Sequence, residues 1–227
     1  MIWAAMAAEW TDNMKTGLIV GIGRFGTHIA MKLNELGHEL MAVDSEEERI
    51  NRALPYVTNA RIGNATNEKF IASLGVGNFD YCIVAIGDDF QSSLETTALL
   101  KDHGAKHVLA RATSDVHKKF LLRNGADKVV YPEHDAAVRA AFSCGSSNVF
   151  DYFELTPDYS ITEINVPKAW IGKSVVQVNV RSKYHVNILA TKEHGEIHPQ
   201  PKPDYIFRGK ESLMIMGHNN DLRKLIN

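Results

Sequence analysis

The sequence has few cysteines, almost no net charge and no long apolar run. Only Cys82 and Cys144 occur among its 227 residues, which excludes a disulfide framework and a cysteine-rich zinc site and is typical of a reducing compartment. The 25 basic and 27 acidic residues leave a net charge of −2, so no nucleic-acid partner is expected. No apolar run reaches the roughly 20 residues of a membrane-spanning helix, so no direct membrane insertion is expected.

The composition is that of an ordinary globular protein. Apolar residues make up 44% and charged residues 23% of the chain, which excludes disorder, collagen-like repeats and a coiled-coil rod. The length suggests one large domain or two small ones. Residues 1–13 lack the positively charged start of a signal peptide. We interpret them as an N-terminal extension, with Met14 as an alternative start.

Short β-rich apolar runs alternate with helical patterns from residue 16 to about residue 131. This alternation predicts βαβ units and a parallel sheet with both faces covered by helices. Helix caps are predicted at Asp44 or Ser45, at Asn64 or Thr66, and at Ser114. The predicted strands are 18–21, 39–43, 60–62, 81–86, 108–110 and 128–131.

The alternation weakens after an alanine-rich helical segment that ends in a Ser/Gly patch at 143–147. A smaller α+β module is predicted beyond it, with strands at 152–155, 160–166, 186–191 and 213–216. One helix is predicted behind Ser174, from the spacing of Val175, Val178 and Arg181. A hairpin turn is predicted at 194–196, and a loop through 199–203 because three prolines occur there.

The most informative local pattern is Gly21-x-Gly23-x-x-Gly26, which follows a strand and opens a helix. Gly21 permits a tight turn, Gly23 allows phosphates to approach the backbone, and Gly26 allows close packing between helix and strand. Asp44 ends the next strand, where a carboxylate can accept both ribose hydroxyls. The pattern predicts nucleotide or dinucleotide binding; the alternative is a tight turn with a capping aspartate.

Two arginines favour a polyphosphate. Arg24 lies inside the glycine loop, and Arg111 ends the fifth strand, at the edge of the sheet where ligands gather. ATP or ADP is therefore a rival to NAD or NADH as the ligand. Residues at the ends of the third and fourth strands could contact the base or serve only as strand and turn, namely Asn64, Ala65, Thr66, Ala85, Ile86 and Gly87.

No catalytic constellation is evident. The Tyr–Lys spacing of some hydride-transfer enzymes is absent, and Gly172-Lys173-Ser174 is not a P-loop because Pro167 stands where glycine is needed. His194 and His198 are four residues apart, but Gly195 and the following proline oppose a helix there. The chain is predicted not to be an enzyme, with an NAD-dependent oxidoreductase as the less favoured alternative.

An ordered series of motifs over residues 15–227 resembles the RCK (regulator of potassium conductance) family, in particular its KtrA/TrkA-type cytoplasmic regulatory subunits. Asn64 stands where the family often has aspartate, which leaves base recognition open. The motifs that carry the resemblance lie at 21–26, 43–44, 64–66, 84–87, 125–127, 132–133, 179–184 and 214–218.

The resemblance implies a fold, an assembly and a location. Residues 14–134 would form a Rossmann-like, doubly wound RCK_N domain, residues 135–152 crossover helices, and residues 153–227 a small α+β RCK_C domain. Homodimers would build a homo-octameric ring on a KtrB-type membrane channel subunit, at the cytoplasmic face of the cell membrane. ATP would favour the conducting ring and ADP the inactive one; an NAD(H)-responsive TrkA-type sensor is the alternative.

The resemblance also implies ligand contacts. Arg24 would meet the distal phosphate, Asp44 the ribose, and Glu133 a divalent or monovalent cation near the phosphates. The implied nucleotide-binding residues are Gly21, Gly23, Arg24, Phe25, Gly26, Asp44, Ser45, Asn64, Ala65, Thr66, Ala85, Ile86, Gly87 and Arg111. Cyclic di-AMP would bind at Val175, Val176, Asn179, Arg181, Asn187, His198 and Pro203, although helix packing alone would also explain the two valines.

Overall fold

The computed structural model describes residues 14–226. The chain divides into two compact units, one that ends at Glu133 and one that begins at His134.

The first unit is built on a six-stranded parallel sheet. Its strand order is β3-β2-β1-β4-β5-β6, and every neighbouring pair is parallel. This is the doubly wound, Rossmann-like arrangement that the sequence predicts, with the strand order reversing between β1 and β4. The strands are β1 (Thr16–Val20), β2 (Glu39–Asp44), β3 (Asn59–Ile62), β4 (Tyr81–Val84), β5 (Val108–Arg111) and β6 (Lys128–Val130).

Helices connect successive strands. Short 3₁₀ turns at Leu54–Tyr56 and Val76–Asn78 complete two of the connections. The helices are α1 (Arg24–Glu35), α2 (Glu47–Ala53), α3 (Glu68–Ser73), α4 (Phe90–Asp102), α5 (Asp115–Arg123) and α6 (Pro132–Gly145), of which α6 continues into the second unit.

Two of the three predicted helix caps are wrong. Helix α2 begins after Glu46 and α3 is capped by Asn67, whose side chain accepts from the backbone N–H of Phe70. The reason is that Asp44 and Asn64 both use their side-chain oxygens to accept from other backbone N–H groups. The cap at Ser114 is confirmed, since its hydroxyl accepts from the N–H of His117.

Both faces of the sheet are buried, as expected for parallel strands. Leu18 and Val20 of β1 belong to one apolar cluster, with Leu100 of α4. Ile19, which points to the other face, belongs to a second cluster with Leu40 and others. Alternate residues of β1 thus pack into the two layers that cover the sheet, and the glycine loop follows at the carboxyl end of the strand.

The second unit contains a five-stranded antiparallel sheet of order β10-β9-β11-β8-β7. Its core includes Trp170 and Phe207, both nearly inaccessible to solvent. A 3₁₀ turn spans Lys168–Trp170. The remaining elements are β7 (Val149–Thr156), β8 (Tyr159–Asn165), α7 (Val175–Val178), α8 (Val180–Tyr184), β9 (Val186–Glu193), β10 (Glu196–Pro199), β11 (Ser212–His218) and α9 (Asn219–Ile226).

Three sequence predictions for this unit need correction. The predicted helical segment 135–152 is helical only as far as Gly145, where α6 ends, and β7 begins at Val149, because the Ser/Gly patch ends the helix and an aromatic, β-branched run comes after it. The helix behind Ser174 is two helices, interrupted at Asn179, whose φ is +52°. Pro199 belongs to β10 rather than to a loop, which is allowed because β10 is an edge strand.

In the second unit the predicted turn at 194–196 is confirmed, and α7 has a cap that was not predicted. Ser174 caps α7 reciprocally with Gln177 in a capping box. His194 and Gly195 form the turn between β9 and β10 with φ values of +51° and +85°, the positive values that a two-residue hairpin turn requires.

Candidate functional site

A cavity of about 600 Å³ opens in the first unit at the carboxyl ends of the strands. Its volume is typical of sites for small molecules and cofactors, and its position is the switch point where open α/β sheets bind ligands. Every nucleotide-binding residue that the sequence predicts lines it except Gly26, and Glu133 lines it too.

The glycine loop is tightly packed at Gly21 and Gly26 but open at Gly23. Gly21 has a φ of +93°, and its N–H donates to the carbonyl of Val43 at 2.8 Å. A Cβ added to Gly26 would lie 2.0 Å from the carbonyl oxygen of Gly21, whereas a Cβ added to Gly23 would meet no protein atom within 4 Å. Gly23 therefore leaves its space to a ligand.

The first turn of α1 offers an anion-binding end. Gly23 is the N-cap, no side chain caps the helix, and the first turn carries no acidic residue. Backbone N–H groups at such a terminus attract phosphates, an attraction that the helix dipole reinforces. Arg24, exposed at the first helical position, adds a positive charge that also acts on Glu133.

Asp44 is buried and holds the site together. It is 6% exposed; Oδ2 accepts from the N–H of Ile22 at 2.7 Å and Oδ1 accepts from the N–H of Glu46 at 2.9 Å. Arg49 lies nearby, with Nη1 3.8 Å from Asp44 Oδ2 and Nη2 2.8 Å from Glu46 Oε1. The carboxylate thus fixes the glycine loop and still has acceptor capacity for a ribose.

Arg111 is positioned by three neighbours. Its Nη2 donates to Glu133 Oε1 at 2.5 Å, and its guanidinium lies 5.7 Å from the centroid of the Phe25 ring. A Cβ on Gly87 would come within 2.4 Å of Arg111 Nη1, so a larger residue at that position would displace the guanidinium. Its side chain is 15% exposed, which leaves this charge with little solvation.

Glu133 is a single carboxylate beside the two arginines. Burial acts to raise its pKa, but the hydrogen bond from its own N–H, the Arg111 guanidinium and the charge of Arg24 outweigh it and lower the pKa. Within residues 14–226 no group of three or more His, Cys, Asp or Glu side chains could hold a metal ion. A cation at Glu133 would therefore need further oxygen ligands, which the phosphates of a nucleotide could supply.

Asn64 ends the third strand and stabilises its own turn. Its Oδ1 accepts from both the N–H and the hydroxyl of Thr66 at 2.9 Å. The predicted capping role is thus replaced by an Asx turn. This turn places Asn64, the buried Ala65 and Thr66 along the cavity.

Sequence reasoning missed eight lining residues. Asp89, Ser92 and Thr96 follow one another at spacings of three and four residues, so they share one face of α4. That helical spacing predicts a shared face, but whether this face lines the cavity depends on how α4 lies over the sheet. Arg49 carried no such signal, because its position depends on how α2 lies over Asp44. The missed residues are Val20, Val43, Arg49, Gly63, Asp88, Asp89, Ser92 and Thr96.

In the second unit the predicted cyclic di-AMP residues are only partly brought together. The N–H of Val176 donates to the carbonyl of Pro203 at 3.1 Å, and Val176 is 65% exposed. Asn179 and Arg181 follow in the same pair of helices, whereas Asn187 lies on β9 and His198 on β10. His198 pairs with Thr191, four residues along the strand from Asn187.

Val175 differs from the exposed Val176, since it packs against the apolar core.

Within the described part of the chain, no helix combines the length and apolar character needed to cross a membrane.

Comparison with known protein families gives two matches that together span most of the chain. Residues 18–132 match the TrkA-N domain and residues 161–227 match the TrkA-C domain. The chain is 42% identical over 209 residues to the Ktr system potassium uptake protein A of Bacillus subtilis, covering 92% of this chain and 94% of that protein. It is 36% identical to the Ktr system potassium uptake protein C of the same organism, covering 91% and 93%.

Solved structures show the same fold. The GsuK RCK domain matches with a TM-score of 0.67 and 18% identity, over 96% of this chain and 48% of that chain. The GsuK channel bound to NAD matches with a TM-score of 0.69 and 18% identity, over 96% and 40%. The chain thus spans less than half of these structures, and at this identity the likeness shows the fold alone.

Proposed function

Because the chain belongs to the RCK family of TrkA-N and TrkA-C domain proteins, which includes the Ktr potassium uptake proteins, we propose that it is the nucleotide-sensing regulatory subunit of a Ktr-type potassium transport system. ATP and ADP compete for the cavity of the first unit and favour different conformations. Two relatives are potassium uptake proteins, which supports a role in binding rather than in catalysis.

The observation that carries this proposal is the distribution of charge along the cavity. The buried carboxylate of Asp44 lies at one side, where it suits a ribose diol, and the α1 N-terminus lies at the glycine loop, where it suits phosphates. Arg24 and Arg111 add two guanidinium groups to the cavity lining. A ribose followed by a chain of phosphates satisfies all three features.

The two arginines favour ATP and ADP over NAD. A nucleoside triphosphate carries more negative charge than a dinucleotide, and guanidinium groups recognise phosphate oxygens by charge-assisted hydrogen bonds. The competing assignment is that NAD is the ligand and the chain is an NAD-responsive sensor. The solved structure of the GsuK channel bound to NAD supports this alternative. Measured affinities decide between the two.

The signal would reach the membrane through assembly. Homodimers forming an octameric ring on a KtrB-type channel subunit, on the cytoplasmic side of the cell membrane, fit the similarity to the Ktr proteins. Nucleotide binding would alter the angle between paired nucleotide-binding units, and the ring would pull on the channel. This requires that ATP and ADP bind the two ring conformations with different affinities, since equal binding shifts no population.

Two further ligands belong to the proposal. A divalent or monovalent cation would bind between Glu133 and the phosphates and supply positive charge there. Cyclic di-AMP would inhibit through the second unit, at the surface around the exposed Val176, Pro203 and Arg181.

The test is a calorimetric titration of the purified chain with ATP, ADP and NAD. Arg24→Ala should lower the affinity for ATP about 10- to 100-fold, the loss of one charge-assisted contact, and should change that for ADP little. Arg52→Ala is the matched control, because Arg52 is exposed on α2 and outside the cavity lining. An unchanged ATP preference in Arg24→Ala would contradict the assignment, and an NAD affinity above those of ATP and ADP would favour the NAD sensor.

A further inference from the structure

A few buried polar groups lack a hydrogen-bond partner. Since such groups are rare and costly in folded proteins, each calls for an explanation. Of these groups, Thr96 Oγ1 and Arg111 Nε belong to residues that line the cavity. Among residues 14–226 the unpartnered buried atoms are Tyr81 Oη, Ser93 Oγ, Thr96 Oγ1, Arg111 Nε and His117 Nε2.

Thr96 differs from the other polar residues at the cavity face of α4. Asp89 accepts from the N–H of Ser92 at 3.0 Å and from its hydroxyl at 2.7 Å, so both side chains are engaged. The Thr97 hydroxyl donates to the carbonyl of Ser93 at 2.7 Å. Thr96 is fully buried, and its hydroxyl alone on the cavity face of α4 has no such bond.

The strand order indicates which part of a ligand would reach Thr96. Asp44 ends β2, the glycine loop follows β1, and Arg111 ends β5, beyond β4 in the order β2-β1-β4-β5. A nucleotide whose ribose is held at Asp44 and whose first phosphates lie at the glycine loop continues toward the β4–β5 side. Helix α4 follows β4, so Thr96 lies on the side that the distal phosphates would occupy.

We propose that the Thr96 hydroxyl is a ligand contact that donates to an oxygen of the distal phosphates, on the same side as the unpartnered Arg111 Nε. This inference rests on the proposed function and deepens it. Both atoms can donate, and an anionic oxygen is the acceptor that two unpaired donors, one of them charged, match best. Through Thr96, helix α4 would help the protein distinguish nucleotides by the number of their phosphates.

The experiment compares two variants of α4, Thr96→Val and Ser93→Ala, each of which removes one buried hydroxyl with little change in side-chain size. Thr96→Val should weaken ATP binding about ten-fold in calorimetry, the loss of one hydrogen bond to a charged group. It should also raise the thermal midpoint of the nucleotide-free protein, because an unpaired buried hydroxyl is replaced by a methyl group. Ser93→Ala removes the other unpartnered hydroxyl of α4, which lies outside the cavity lining, and should leave ATP affinity unchanged.

AMP tests the position of the contact. Because AMP lacks distal phosphates, Thr96→Val should change its affinity less than about two-fold, in contrast to the loss for ATP. If Thr96→Val fails to fold, Thr96→Ser and Thr96→Ala replace it: serine should keep ATP affinity and alanine should lose it.

Wild-type ATP affinity in Thr96→Val, an equal loss for AMP, or equal losses in the serine and alanine variants would each overturn the inference. These outcomes differ from failure of the proposed function, in which the wild-type chain itself would bind neither ATP nor ADP.

Discussion

Replacing Asp44 by asparagine should destabilise the nucleotide-free protein, before any ligand is considered. The carboxylate accepts two backbone N–H groups, from Ile22 at 2.7 Å and Glu46 at 2.9 Å. The two donors point at different carboxylate oxygens, and asparagine keeps an oxygen at only one of these positions, so its NH₂ group would face the other donor. One lost charge-assisted bond and one unsatisfied buried donor together cost about 2–4 kcal/mol. The Arg49 contact at 3.8 Å adds less than about 1 kcal/mol, since that side chain is partly exposed.

The loss would be a large share of the stability of the first unit, since domains are typically stable by only about 5–15 kcal/mol. Urea unfolding monitored by circular dichroism, without nucleotide, measures the change in the free energy of unfolding. Because two units can unfold separately, amide hydrogen exchange should be read at β1 and at the N–H groups of Ile22 and Glu46. Asp88→Asn is the matched control, since Asp88 lines the same cavity but is exposed; it should change stability by less than about 0.5 kcal/mol.

A destabilisation below about 1 kcal/mol in Asp44→Asn, or one no larger than in Asp88→Asn, would refute the view that Asp44 anchors the loop. The same variant should also weaken all ribonucleotides alike. Affinities must therefore be measured well below its unfolding midpoint, so that a lost ribose contact is separated from a lost fold.

Two further predictions concern the glycine loop and the second unit. Gly26→Ala should destabilise the first unit by more than about 3 kcal/mol in thermal unfolding, because its Cβ would lie 2.0 Å from the Gly21 carbonyl oxygen. Gly23→Ala should fold normally yet bind ATP at least about ten-fold more weakly; equal stability of the two variants would contradict this. Burial acts to raise the pKa of Glu211, but the N–H of Arg208, the Tyr205 hydroxyl and the N–H of Lys210 outweigh it and lower the pKa below its ordinary 4.5. The stability that this carboxylate contributes should be complete above pH 4.5 and lost as the pH falls through the folded-state pKa, whereas Glu211→Gln should lack that acid-dependent loss in urea unfolding.

The parts of the fold that depend on local signals can be read from the sequence. The strand–helix alternation of the first unit, the glycine loop and the cap at Ser114 depend on residues close together in the chain. The predicted crossover helices extend beyond the end of α6 because an alanine-rich segment favours helix whatever residues come after it. Strand β7 instead depends on pairing with β8, which no local propensity contains.

The candidate site is predictable where residues end strands and unpredictable where helices supply them. Asp44 and Arg111 end strands, so topology alone brings them to one edge of the sheet. Arg49 and Thr96 lie on helices, and whether they face the cavity depends on the rotation of α2 and α4 over the sheet. The hydrogen bonds of Asp44 show a second limit of sequence-based prediction. The bond to Ile22 joins residues far apart in the chain and the bond to Glu46 depends on the local turn, so neither leaves a recognisable sequence pattern.

The close contact between Gly26 and Gly21 changes what the glycine pattern means to a reader of sequences. Gly21 and Gly26 are required by the protein itself, the first by its positive φ and the second by the carbonyl oxygen beside it. Only Gly23 is unconstrained by protein atoms. Two of the three glycines therefore report the shape of a turn, and the information about a ligand resides in the third.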